Sequence, residues 1–148
     1  MPDPRLAELD ARLKGGDPAG ARAVADALLA APSLPSAERA VAFILRSRAH
    51  ELLRNLPAAI PDVECALALN PNDSHALARY SLYLSALGEH DAALKHATLA
   101  QALDPISATV RTAPAMALFY ARRYDDAIVA FLQLSDTEPL SAVEHFAL

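Results

Sequence analysis

The stretch LALNPNDSHA, Leu67 to Ala76, closes one helical pattern at a proline and opens another. Nearly the same punctuation returns in AQALDPISAT, Ala100 to Thr109, and again in LSDTEPLSAV, Leu134 to Val143. Pro71, Pro105 and Pro139 recur every 34 residues. A proline has no N–H to give and clashes with the preceding turn, so each one stops a helix. Breakers at one fixed interval predict an array of short helical units.

Other columns share the period. Ser47, Ser81 and Ala115 align, as do Ala59, Ala93 and Ala127. Val63, Ala97 and Phe131 form a third column, and Ala66, Ala100 and Leu134 a fourth. The two small-residue columns predict a close approach between the helices of each unit. After each proline stands a candidate cap, Asp73, Ser107 or Ser141, able to accept from the free N–H groups of the next helix. Glu144, three residues after Ser141, completes a capping-box pattern. Gly88 predicts the break between two helices of one unit.

Composition supports helices. Just over half of the 148 residues are hydrophobic, alanine is abundant and glycine is rare. That mix excludes a disordered chain and favours closely packed helices. The formal charge of −5 argues against a nucleic-acid surface, which needs clustered positive charge. A single cysteine, Cys65, allows no internal disulfide and points to a reducing compartment, with the cytoplasm expected. The N-terminus lacks the pattern of a signal peptide, and no run is long and apolar enough for a membrane span.

The stretches LGEHDAALKHATLAQALDP, Leu87 to Pro105, and ARRYDDAIVAFLQLSDTEP, Ala121 to Pro139, carry a resemblance to the tetratricopeptide repeat family. The chain is read as one domain, 1–148, with units at 40–73, 74–107 and 108–141. A divergent unit lies at about 2–35, SLPSAE (Ser33 to Glu38) is an insertion, and a further helix starts at about 142. Expected helices are 3–14, 18–31, 37–54, 57–69, 74–87, 91–103, 108–121 and 125–136. The fold class is all-α, and the resemblance implies a right-handed α-solenoid of antiparallel helix pairs. Pro114 interrupts the first helix of unit 108–141. It either kinks that helix or makes it start late, with Thr112 as cap; the kink is the preferred reading. The last eight residues make only a stub of helix. The chain is therefore expected to be part of a longer protein, or to bury its C-terminal end, the face carrying Phe131 and Leu134, against another copy.

No phosphate loop, nucleophile elbow, zinc pair or calcium loop is present. No catalytic, metal or cofactor site is expected. The five histidines read as structural or solvated, with His50 partly in the core because it aligns with Leu84 and Leu118. Cys65 reads as a half-buried small apolar residue. Asp125 and Asp126 open a helix, where negative charge suits the macrodipole, and Arg122 and Arg123 close the one before.

The resemblance implies that the first helix of each unit lines a concave groove that receives a peptide. Helical spacing then selects Arg48 and Glu51, His75 and Arg79, and Met116, Phe119 and Tyr120, together with Ala78 and Ser85 on the same stripes. Arg79 and His75 resemble part of a clamp that some family members use for a carboxylate terminus. Leu45 stands where that clamp has an asparagine, so the specific clamp is rejected. A looser site, with Arg48 and Arg79 meeting an acidic peptide, remains.

The expected function is a non-catalytic scaffold for a protein or peptide partner, with no nucleic acid and no membrane involved. The alternative is an assembly module of a larger protein that self-associates through its C-terminal end. LFYARRYDDAI is generically similar to repeats in bacterial winged-helix regulators and cyclases. An appendage to an enzyme such as a sulfotransferase or hydroxylase is a weaker variant of that alternative.

Overall fold

The computed structural model describes residues 1–135. Eight helices occupy them: α1 Pro4–Lys14, α2 Pro18–Ala30, α3 Ser36–Leu52, α4 Leu56–Leu69, α5 Ser74–Ala86, α6 His90–Leu103, α7 Ala108–Tyr120 and α8 Tyr124–Ser135. No strand occurs among the described residues. The expected helices match to within two residues. Pro139, Ser141, Glu144 and the helix expected from 142 lie outside the described residues. The chain forms two compact units, Met1–Ala76 and Leu77–Leu148, with the boundary inside α5.

One turn, built four times, shows the repeat most directly. It joins α1 to α2, α3 to α4, α5 to α6 and α7 to α8. In each, an N–H reaches back five residues: Asp17 to the Arg12 carbonyl (2.8 Å), Asn55 to His50 (2.8 Å), Glu89 to Leu84 (2.9 Å) and Arg123 to Leu118 (3.0 Å). The residue before each donor is left-handed, with φ of 80° at Gly16, 58° at Arg54, 81° at Gly88 and 62° at Arg122. This is the glycine-favouring end of a helix. Two of the four positions carry arginine, which bears the Cβ cost that glycine avoids. Arg122 and Arg123 thus form the turn that closes α7, their N–H groups reaching the carbonyls of Phe119 and Leu118.

Arg54, Gly88 and Arg122 follow one another at the 34-residue period, but Gly16 lies one helical turn further back. The extra turn is in α3, which has 17 residues where α5 and α7 have 13. SLPSAE is therefore only partly a connection, because Ser36, Ala37 and Glu38 are helical. The added turn ties down the N-terminal helices. Glu38 accepts from the Asp3 N–H at 3.0 Å, and Arg39 donates to the carbonyls of Leu29 and Ala31 at 3.0 and 2.8 Å. Allowing for that turn, Leu9, Ala21, Ala25 and Leu28 fall into the aligned columns, and all four are fully buried.

In unit 1, Leu9, Leu13, Ala21, Ala25, Leu28, Leu34, Ala42 and Ala49 form one core shared by α1, α2 and α3. α4 packs on α3 through Ala59, Val63 and Ala66. In unit 2, α5 meets α6 where the Ser81 hydroxyl donates to the Ala93 carbonyl at 2.8 Å. Serine and alanine are small enough to let a side chain reach the neighbouring backbone. α6 packs on α7, and α7 on α8, around Ala97, Ala100, Val110, Ala115 and Ala127.

Two local expectations change and one holds. Pro114 lies inside an unbroken α7, and Thr112 is no cap: its hydroxyl donates to the Thr109 carbonyl at 3.0 Å. The late start is excluded. Asp73 does cap α5, accepting from the Ala76 N–H at 3.1 Å. Ser107 is the residue before α7 but makes no side-chain capping bond. Asp104 holds that turn instead, accepting from the N–H groups of Ile106 and Ser107, both at 3.1 Å.

Candidate functional site

The densest polar chemistry in unit 1 lies between α2, α3 and α4. Arg46 on α3 forks onto the buried carboxylate of Asp62 on α4, with Nε to Oδ2 at 2.8 Å and Nη2 to Oδ1 at 2.7 Å. Its remaining arm reaches Asp26 on α2 at 3.0 Å, and its face lies over the Phe43 ring at 5.6 Å. The Asp62 hydrogen bonds raise the Arg46 pKa further above its ordinary value. His50 sits one turn along α3, with Nε2 3.6 Å from Asp62 Oδ2. Burial lowers its pKa, opposed by Asp62 and reinforced by Arg46. Its Nδ1 is buried and makes no hydrogen bond. The expectation that His50 stands partly in the core agrees with this burial.

Sequence reading missed the Arg46–Asp62 pair. A signal was available, because opposite charges stand one residue before the small residue Ser47 and one before Val63. Those are columns that face each other. One period later the same two positions hold Tyr80 and His96, whose rings stack at 4.9 Å, tilted by 48°. Burial, with Lys95, lowers the His96 pKa. These arrangements hold helices together. Asp62 is buried, and both of its oxygens are engaged by the Arg46 fork.

The sequence-selected residues divide between the units. In unit 1, half-buried Arg48 is already turned toward a carboxylate, Asp10 on α1, at 3.8 Å. Glu51 is half-buried and His75, at the start of α5, is exposed. Glu51, His75 and Arg79 each interact with another group of the chain. Arg79 belongs to unit 2 and is half-buried. Ala78 and Ser85, placed on the same stripe, are buried and line no open surface. The Ser85 hydroxyl is buried without a hydrogen-bond partner.

In unit 2, Met116 is half-buried while Phe119 and Tyr120 are exposed at the end of α7. Phe119 presents an edge-to-face contact at 5.7 Å to Tyr120 and another at 5.7 Å to Tyr124 of α8. Phe119 and Tyr120 stand on the surface rather than in the core. Edge-to-face contacts of this kind limit the rotamers open to the exposed rings. Cys65, expected to be half-buried, is exposed and free on α4, because Asp62, Val63 and Ala66 take the inward positions. Asp125 and Asp126 do open α8, and Asp126 pairs with Arg123 at 2.8 Å. Among the described residues, no three His, Cys, Asp or Glu side chains are placed to hold a metal ion. None of the described helices is long and apolar enough to cross a membrane.

Helix pairs repeated around one recurring turn define an all-α helical-repeat fold. No family model and no curated protein matches the chain. Solved structures do. A crystal structure of MamA protein superposes with a TM-score of 0.74 at 21% identity, covering 93% of this chain and 73% of that one. A second MamA crystal structure gives 0.75 at 21% identity, covering 93% and 78%. A third, of MamA from AMB-1, gives 0.57 at 16% identity, covering 97% and 95%. At such identities the likeness establishes the helical-repeat fold.

Proposed function

We propose that residues 1–148 act as one tetratricopeptide-like domain, a non-catalytic scaffold that binds a peptide or protein partner along the first helices of its pairs. The observation that carries this reading is the exposed aromatic set on α7, Phe119 and Tyr120, locked edge to face. Met116 and Arg79 complete the contact set in unit 2; Arg48, Glu51 and His75 form that of unit 1. The aromatic rings supply apolar contact area and the arginines favour a partner bearing carboxylates. A reducing compartment, the cytoplasm, suits the free thiol of Cys65.

The test is selection of binding peptides from a displayed library containing acidic and apolar sequences. Affinity of a selected peptide should fall by about tenfold or more with Arg79→Glu and with Phe119→Ala, helicity being unchanged. Added salt should weaken it too. Affinity equal to the parent's in both variants ends this reading. A second reading, an assembly module of a larger protein that associates with its own kind, is favoured by one further observation, the apolar outer face of α8.

A further inference from the structure

The 34-residue period lets each position of α8 be compared with its counterparts in α4 and α6. Positions 124 and 128 correspond to Leu56 and Ile60 in α4 and to His90 and Leu94 in α6, all four half-buried. Positions 129 and 132 correspond to Pro61 and Glu64, and to Lys95 and Thr98, all four exposed. The fold therefore asks for nothing apolar at 129 and 132. α8 nevertheless carries Val129 and Leu132 there, 55% and 55% exposed, beside Tyr124 and Ile128 at 51% and 56%. In α6, which α7 follows and packs against, the outer pair stays in water. A helix following α8 in the same way would cover 124 and 128 and leave Val129 and Leu132 exposed. Exposed apolar residues clustered on one face mark an interaction surface.

We propose that this face joins two copies of the chain through antiparallel α8 helices. Three features select a second copy. Tyr124, Ile128 and Leu132 lie at successive four-residue steps, so two stripes laid antiparallel about Ile128 put apolar positions opposite apolar positions. That self-complementarity is what a two-fold interface requires. Residues 127–135 contain no charged side chain, whereas the chain as a whole carries −5. Two acidic copies approach with least repulsion where charge is missing. The charge of α8 is confined to Asp125 and Asp126 in its first turn. Antiparallel pairing puts these acidic turns at opposite ends of the contact and opposes the helix dipoles. Parallel pairing would bring four carboxylates together. Tyr124 then meets Leu132 of the second copy, and Ile128 meets its own equivalent. Phe119, edge-on to Tyr124, widens the contact. The face is small beside a standard interface of about 1,600 Å², so the dimer is weak and concentration-dependent.

This proposal rests on the second reading above and shares only Phe119 with the peptide-binding set, so its own test leaves Phe119 unchanged. The test uses the full chain. Val129→Lys with Leu132→Thr grafts the residues that the fold already accepts in α6. Sedimentation equilibrium should show a reversible dimer for the parent. The double variant should dimerise about tenfold or more weakly, with the same helicity by circular dichroism. Ile128→Cys, made together with Cys65→Ser, should form a disulfide-linked dimer under mild oxidation, since the two thiols face each other at the axis. A parent that stays monomeric at several hundred micromolar overturns the proposal, including the case in which residues 136–148 cover the stripe themselves. A dimer unaffected by the double substitution leaves self-association standing but overturns this surface. Failure of the cysteine variant to cross-link overturns the antiparallel register.

Discussion

The two units solve one packing problem with different chemistry. At positions 46 and 62, unit 1 places a forked arginine–carboxylate pair, whereas unit 2, at 80 and 96, places a tyrosine against a histidine. The small residues beside them are nearly the same, and the backbone turn is the same. Helix spacing is therefore set by the small columns, and the neighbouring pair is free to vary. The choice still has consequences, because a buried charge tolerates the loss of its partner far less well than a ring does.

Four experiments press on that contrast. The largest effect belongs to Arg46→Ala, which strands the Asp62 carboxylate among apolar neighbours. Breaking a buried pair from one side costs about 3 kcal/mol or more. His96→Ala, at the matching place in unit 2, should cost about 1 kcal/mol by loss of a ring contact. Urea unfolding of both variants checks the difference, and equal losses would show that the charge cluster adds nothing beyond packing.

Next comes the shared element. Ala59→Leu and Ala93→Leu both overfill the small-residue contact and should each destabilise by about 2 kcal/mol. Similar values in the two units would confirm that the columns, rather than the variable pair, set the helix separation. The same unfolding measurement decides it.

A smaller effect depends on pH. Burial holds the folded His50 pKa below its ordinary value. As pH falls through about 6.5, the unfolded chain takes up the proton first, so stability drops toward acid. His50→Leu, the residue found one and two periods later at Leu84 and Leu118, should flatten that slope. His96, shifted in the same direction, should keep part of it. Unfolding at pH 7.5 and at pH 5 measures both shares, and a slope unchanged by His50→Leu would assign it elsewhere.

The smallest effect concerns the turns. Arg54→Gly in unit 1 and Arg122→Gly in unit 2 relieve a left-handed backbone at a residue with a Cβ. Each should raise stability by about 0.5 kcal/mol, since glycine's greater freedom when unfolded offsets part of the relief. A loss in either variant would show that the arginine side chain stabilises its turn.

Much of this was legible in the chain. Pro71 and Pro105 marked the ends of α4 and α6, and the columns through Ser81, Ala93 and Ala97 marked the faces that meet. Gly88 marked its turn because only glycine adopts positive φ without cost. Arg54 and Arg122 hid theirs, since arginine signals nothing about φ. The divergent first unit hid its register because the extra residues extend α3 by a whole turn instead of looping out. Spacing alone selected Phe119 and Tyr120 without showing whether they face in or out. Only packing decided that they face out.

What the sequence determined by itself is the helical array, because breakers and small residues at one period act locally and add up over the chain. What only the tertiary structure decided is which side chains meet across helices. Arg46 finds Asp62, Tyr80 finds His96, and Val129 and Leu132 stand exposed on α8. Such contacts depend on how far each helix is rotated against its neighbour. That rotation is fixed by all the packed residues together and by no single stretch of sequence.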